Sequence, residues 1–527
     1  MFDVWGALRR REAQPWTFGG LILGLLLAAL SVAAEDNGPP AVGEGPYDRL
    51  VLRGVMVVDG TGAPPQGPMD LVIEEDEIVR IAYIGAPGTE IDPARRPEVG
   101  ENGREIDLTG SWVLPGFVDL YGYAGRNRDY ASRLWLAHGI TTVREPVCER
   151  GMEICNEWRR AAEEHSVVSP RVVPWLHFGL GRPGLKVADA DDARAWVREA
   201  KEQGAAGIKF RGEKPEIFAA ALDEAEDLGL PTSCHHSPLW VSRTDVLFTA
   251  RHGLDQLEHF YGLPEALIED TTLPAYPADY NYLDEQHRFA TLGRLWGQAT
   301  RPGSERWQRV IAEMVEGGVA MVPTLALYEA NRDLMRARQK EWHAEYTLPS
   351  LWQSFTPNRS SHAAHFFAWT TEDEVAWRKG YRRWMRFLRD YANAGGRVAI
   401  GTDAGFMYTV FGFAFVREME LLREAGFTPL EILRAATQEG ADELGLADQI
   451  GTIEPGKRAD LVVVPENPVA DFKVLYGTGT PRLRDDGTLE RIGGVTWTIR
   501  DGVLYDAQAL RQEVRRMVKA EQEPAGK

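Results

Sequence analysis

Three cysteines in 527 residues are too few to build a fold out of disulfides. Positive charge is also short, with Lys+Arg 59 against Asp+Glu 78 and a net charge of −19. That balance excludes sequence-independent nucleic-acid binding, which needs a basic footprint. No internal repeat is visible, and no low-complexity tract apart from the first residues. Histidine is scarce (11), whereas Trp, Tyr and Phe number 16, 16 and 19. What is present is ordinary for a globular enzyme-sized chain: 44% hydrophobic and 26% charged residues. Length alone suggests three or four domains, although one elaborated barrel could absorb most of it.

The single long uncharged run lies at the start. Arg9, Arg10 and Arg11 precede the apolar residues 18–30 and then Ser31-Val32-Ala33-Ala34. This is the pattern of a signal peptide over 1–34. An uncleaved anchor over 16–34, only just long enough to span, is the alternative. The expectation is an exported protein, periplasmic or secreted, that meets a membrane only if this segment is retained. Export would allow a bridge between Cys148 and Cys155 with Cys234 unpaired; two free buried thiols fit the spacing equally well.

After a Pro/Gly-rich linker (35–46), residues 50–59 and 71–84 read as β runs punctuated by Gly and Pro. Residues 460–464 and 496–504 read the same way. The two β-rich ends, 47–110 and 446–510, suggest a small β-sandwich domain assembled from both, followed by a polar tail at 511–527. The middle, 111–445, alternates strands with helices. Candidate strands are 112–120, 140–144, 171–178, 207–210, 231–235, 256–260, 319–325 and 397–402, and segments such as 191–203 and 215–228 are helix-like. Eight such units predict an α/β fold, a (β/α)8 TIM-type barrel. Long insertions at about 261–317 and 326–396 hold Trp342, Trp352, Trp369, Trp377 and Trp384. These rings read first as the insertion's own core and second as a lid.

Chemistry in such a barrel sits where strands end at their C-terminal face. Those ends carry His177, Lys209, His235-His236, His259 and Asp403. Two imidazoles and a carboxylate suit one divalent metal such as zinc. A buried lysine loses its proton more easily, and the neutral amine can take up carbon dioxide to become an anionic carbamate.

Several segments resemble the amidohydrolase superfamily, above all its imidazolonepropionase and metal-dependent prolidase-like branch. They are Leu114-Pro115-Gly116-Phe117-Val118-Asp119, Gly139-Ile140-Thr141-Thr142-Val143-Arg144, Ile208-Lys209, Leu257-Glu258-His259 and Gly401-Thr402-Asp403-Ala404-Gly405. A C-terminal block adds Gly426-Phe427-Thr428-Pro429, Ala435-Ala436-Thr437 and Gly451-Thr452-Ile453-Glu454-Pro455-Gly456-Lys457. The likeness covers most of 47–505 outside the two insertions. It implies metal-dependent hydrolysis of amide or cyclic amide bonds. Lys209 then matches the carbamylated lysine, His235 and His259 the histidine ligands, and Asp403 a ligand that is also the general base. His236 should face the other way, by the alternation of a strand.

One element departs from that pattern. The family's first strand ends in Asp-x-His-x-His, whereas this chain has Asp119-Leu120-Tyr121-Gly122-Tyr123. Two residues apart, both rings should face the barrel mouth. A phenol with a pKa of about 10 ligates poorly, so a two-metal centre is not expected. The resemblance thus implies one metal held by Lys209, His235, His259 and Asp403. Asp403 would be catalytic; His177, read from its strand end, would either polarise the carbonyl as a second catalytic group or simply pack. Tyr121, Tyr123 and Arg144 would contact a small amide or dipeptide-like substrate. The alternative is an inactive barrel that binds a ligand or protein through the same pocket. His362 and His365, three apart, read as a helix surface pair or as replacement ligands.

Overall fold

Seven short parallel strands, almost wholly buried, run through the middle of the chain in a computed structural model that describes residues 43–125, 127–180, 187–269, 273–357 and 366–523. They are β1 (Phe117–Asp119), β2 (Ile140–Glu145), β3 (Arg171–Pro174 and its continuation Leu176–His177), β4 (Ile208–Phe210), β5 (Thr232–Cys234), β6 (Gln256–Glu258) and β7 (Ala320–Val322). Near-continuous apolar runs are what a strand covered on both faces requires. β1, β2 and the first part of β3 form one parallel sheet; the second part of β3 with β4 to β7 forms another. Residues 397–402 are not a full strand, but they extend the ladder. Val398 bridges Met321 in parallel, Ala399 N–H bonds to Met321 O (3.0 Å), and Leu120 N–H bonds to Ile400 O (3.0 Å). The fold is therefore mixed α/β with parallel sheets.

Helices separate the strands, and their ends are written in the sequence. Asp189 caps Ala190–Glu202 by accepting from Asp192 N–H, and Ser304 caps Glu305–Glu316 through Trp307 N–H. Thr428 and Glu431 make a reciprocal capping box on Pro429–Ala436.

Both ends of the described chain meet in a single nine-stranded sheet. The run expected at 71–84 is a hairpin, Gln66–Glu74 and Glu77–Tyr83, with Glu75 at φ 52° in the turn. Residues 496–504 are likewise two strands, Trp497–Arg500 and Val503–Asp506. The run at 112–120 divides as well: Trp112–Pro115 pairs antiparallel with Leu461–Val464, and β1 then joins the parallel set. Gly116 is the crossing point, where a Cβ would lie 2.1 Å from Thr141 Oγ1. Helix Leu325–Arg332 takes over the end of the strand expected at 319–325.

The linker and tail also differ from expectation. Gly43–Glu44 pairs with Leu504 and Tyr505 as an edge strand. Residues 511–522 are no polar tail but part of helix Ala507–Gln522. Its Leu510, Val514 and Val518, four apart, form one buried stripe, and Glu513 pairs with Arg133 at 2.6 Å. The described residues cluster as one compact unit. The leader 1–34, with His362 and His365, lies outside the described residues.

In the insertions, helices Glu285–Gln298 and Thr371–Asn393 pack closely because Gly293 has no Cβ; one would sit 2.6 Å from the Trp377 ring. Trp296, Trp307, Trp377 and Trp384 are fully buried. Contrary to expectation, the insertions do not keep a core of their own: their tryptophans join the core of the strand set, with Trp384 on Phe260 (4.9 Å), Trp342 on Phe413 (4.7 Å) and Trp377 stacked on Tyr328 (5.8 Å, 13°).

Candidate active site

A cavity of about 280 Å³ opens at the C-terminal ends of the parallel strands. Tyr121 and Tyr123 follow β1, Arg211 follows β4, His235 follows β5, and His259 and Tyr261 follow β6. Leu327 and Tyr328 come from the helix after β7, and Asp403 follows residues 397–402. Segments more than 280 residues apart in sequence thus share one wall.

The backbone at three of these ends is unusual. His259 (φ 62°), Thr324 (φ 51°) and Asp403 (φ 48°) are left-handed without being glycine. Such a conformation costs about 1–3 kcal/mol per residue and persists only where the surroundings enforce it. Here His259 N–H stays bonded to Val322 O and Asp403 N–H to Tyr121 O, both at 3.0 Å. Asp119, fully buried, accepts from Tyr121 N–H (3.0 Å), Thr402 N–H (3.0 Å) and Thr402 Oγ1 (2.7 Å). It fastens the end of β1 to the segment that carries Asp403. Burial pushes its carboxyl up to about 6 against those bonds.

His259 Nδ1 lies 2.7 Å from Thr324 Oγ1, and Nε2 lies 3.9 Å from Asp403 Oδ2. Burial, with Lys209, Arg144 and Arg211 nearby, drives its pKa well below the ordinary imidazole value, so the ring is neutral. His235 meets His259 edge-on (4.9 Å, 83°) and stacks on Tyr261 (4.6 Å, 28°). His236 turns into the core as expected, its Nε2 2.9 Å from Thr249 Oγ1.

Lys209 does not face the cavity as the expected ligand would. It is fully buried, ion-paired with Glu258, with Nζ 4.5 Å from the Tyr121 ring centre. Burial, Arg144 and Arg211 push its pKa well down, and Asp403 and Cys234 oppose them. Arg144 is also displaced from its expected substrate contact. Its guanidinium donates to Gln256 Oε1 (2.7 Å) and Glu258 Oε1 (2.5 Å) and lies over the Trp175 ring (4.5 Å). It sits one layer too deep in the strands to line the cavity. His177 is off the cavity wall as well. Its Nδ1 is 2.8 Å from Phe178 O, and burial with Arg211 and Lys209 lowers its pKa to about 3.

The expected tyrosines do line the cavity. Tyr123 stacks on Phe406 (5.7 Å, 18°), and burial and Glu149 raise its pKa. Tyr328 Oη donates to Tyr261 Oη at 2.6 Å. Burial raises all four phenols, so each keeps its proton at neutral pH. Cys148 and Cys155 form the disulfide, closing the loop that carries Glu149, and Cys234 is free and buried.

Residues 379–482 match the sequence profile of the Amidohydrolase family. That stretch carries the likeness to the family. A probable guanine deaminase of Deinococcus radiodurans is 39% identical over 84 residues, 14% of this chain and 18% of that protein. The stretch shared with that relative thus spans under a fifth of its length. Among solved structures, a Xaa-Pro dipeptidase with methionine in its active site shares 18% identity. It covers 87% of this chain and 100% of its own, with a TM-score of 0.57. The bottromycin amidohydrolase shares 19% identity over 92% and 94%, with a TM-score of 0.61. A putative prolidase from Bifidobacterium longum shares 20% over 89% and 99%, with a TM-score of 0.56. At these identities the structures establish a common fold.

The superfamily generally uses a divalent metal. Among the described residues, no group of three or more His, Cys, Asp or Glu side chains is placed so that it could hold a metal ion. By donor type alone, three cavity residues suit a divalent ion. His235, His259 and Asp403 face one cavity, and Thr324 occupies Nδ1 of His259, which leaves Nε2 as the atom turned to Asp403. Residue-level reading missed Glu258, Thr324, Arg211, Tyr261 and Tyr328. Two of these were legible: Arg211 and Tyr261 lie two residues beyond Lys209 and His259.

Proposed function

We propose that this protein hydrolyses a C–N bond in a small amide, cyclic amide or dipeptide-like substrate, with one divalent metal ion, zinc by donor type. The supporting observation is the convergence of His235, His259 and Asp403 on one cavity from three strand ends far apart in sequence. We read the two parallel sheets, joined at β3 and continued by residues 397–402, as one (β/α)8 barrel; the Leu120–Ile400 and Ala399–Met321 bonds support that closure. An oxidising compartment, as expected from 1–34, suits the Cys148–Cys155 bridge.

His235, His259 and Asp403 would hold the ion, which when bound supplies the positive charge that acidifies a water toward a pKa of about 7. Asp403 takes the proton of the attacking water and returns it to the leaving nitrogen. The phenols of Tyr121 and Tyr261, kept protonated by burial, are the donors available to the carbonyl oxygen as charge develops on it. Tyr328 supports Tyr261 by donating to its oxygen, which leaves the Tyr261 proton for another acceptor.

The reading is tested by metal analysis of the purified protein and by amine release from N-acyl amino acids, dipeptides and lactams. Stoichiometric metal, and turnover that Asp403→Asn lowers by about 10²–10⁴-fold, are expected. An absence of both after reconstitution with zinc, manganese or cobalt and bicarbonate overturns it.

A further inference from the structure

Arg211 is the one Lys or Arg on the described wall of the cavity. Two residues beyond Lys209, its side chain leaves β4 on the same face, above the buried lysine and toward the cavity mouth. Its position is held by the backbone. Phe210 O accepts from His235 N–H (3.0 Å) and Arg211 O from Ser237 N–H (2.9 Å), so the pairing with the end of β5 persists past Arg211. Yet its guanidinium makes no hydrogen bond or ion pair among the described residues, in a chain where most arginines find a carboxylate. It is exposed, so a ligand can displace its water. It is also close enough for its charge to act on Tyr121, Lys209 and His259. Much of the remaining wall is aromatic or aliphatic, including Phe289, Leu327 and Phe406, and its carboxylates are Glu149 and Asp403.

We propose that Arg211 selects substrates carrying a carboxylate, so that the cavity takes small N-acyl amino acids or dipeptides with one apolar side group. This rests on the hydrolase reading of the same cavity. A guanidinium matches a carboxylate with two parallel N–H bonds. A dianionic phosphate would want more donors than this wall presents. The volume, about 280 Å³, lies just below the usual range of about 300–1,000 Å³ for ligand pockets and suits a small substrate.

The probes are N-acetyl-L-phenylalanine and its C-terminal amide, titrated calorimetrically into the metal-loaded full chain and its Asp403→Asn variant. The acid should bind about tenfold or more tightly than the amide. Arg211→Gln should abolish the difference and Arg211→Lys restore part of it. Higher salt should narrow it, because the cation is exposed. Equal binding of acid and amide, no binding of either, or a preference that survives Arg211→Gln would overturn the proposal. A preference without hydrolysis would sink the hydrolase reading alone, and hydrolysis without a preference would sink this inference alone.

Discussion

His259 and Thr324 are bonded through Nδ1 and Oγ1 at 2.7 Å, and both hold left-handed backbone immediately after their strands. The bond fixes the ring that turns Nε2 toward Asp403. Partners of this kind typically contribute about 10–100-fold to metal affinity. Thr324→Val should weaken zinc binding by about that factor, while Thr324→Ser should retain most of it. Competition against a chelating dye reads the change; equal affinity in Thr324→Val would remove the bond from the site's design.

Glu258 lies between two cations, Lys209 and Arg144, all three fully buried. Removing one member of a buried ion set leaves charge uncompensated, at a cost of about 3–5 kcal/mol. Glu258→Gln should lower the urea midpoint accordingly. Glu258→Gln with Lys209→Met should lose less than the two single changes summed. Additive losses would mean that the pair is not coupled.

Glu418, buried on helix Phe413–Glu424, accepts from Leu325 N–H (2.7 Å) and Ala326 N–H (2.6 Å) and so holds the helix that carries Leu327 and Tyr328 into the cavity. Burial raises its carboxyl to about 8. Because the folded value lies above the unfolded one, the folded state holds the proton more tightly between pH ~4.3 and the folded pKa. This group's contribution is therefore full below the unfolded value and is lost as pH rises toward 8. Glu418→Gln should flatten the stability profile over that window, read by thermal melts at several pH values. A parallel profile would assign the slope to other buried carboxyls.

The Cys148–Cys155 bridge closes a short loop, with seven residues of sequence separation, and carries Glu149 to the cavity wall. Loop-closure entropy gives such a bridge about 2–3 kcal/mol. The double variant Cys148→Ser/Cys155→Ser should melt several degrees lower than wild type, and reducing agent should affect wild type only. An unchanged melting temperature would show that the bridge adds no stability.

Part of the cavity wall is legible from strand ends, because parallel strands send their C-terminal residues to one edge of the sheet wherever they fall in sequence. His235 against His236 followed from simple alternation. Alternation failed at Glu258 and His259. Both reach the interior of the strand set, because positive φ at His259 turns the chain as the strand ends. Residue type alone does not give depth: Arg144 is fully buried beside Tyr121, at 5.7 Å from its ring, and does not line the cavity. Tyr328 had no signal at all, since it reaches the cavity from a helix whose place depends on Glu418 and Trp377.

The scarcity of positive charge, the histidine pattern and the Tyr121-Gly122-Tyr123 substitution belong to the sequence alone. With the strand–helix alternation, they determined which kinds of donor stand at which strand ends. Tertiary structure decided the partners: Lys209 with Glu258, Thr324 with His259, and Arg211 instead of Arg144 on the cavity wall. The reason is physical. Periodicity specifies which face a side chain leaves from, but depth within the strand set and the turn made by left-handed residues specify what it meets.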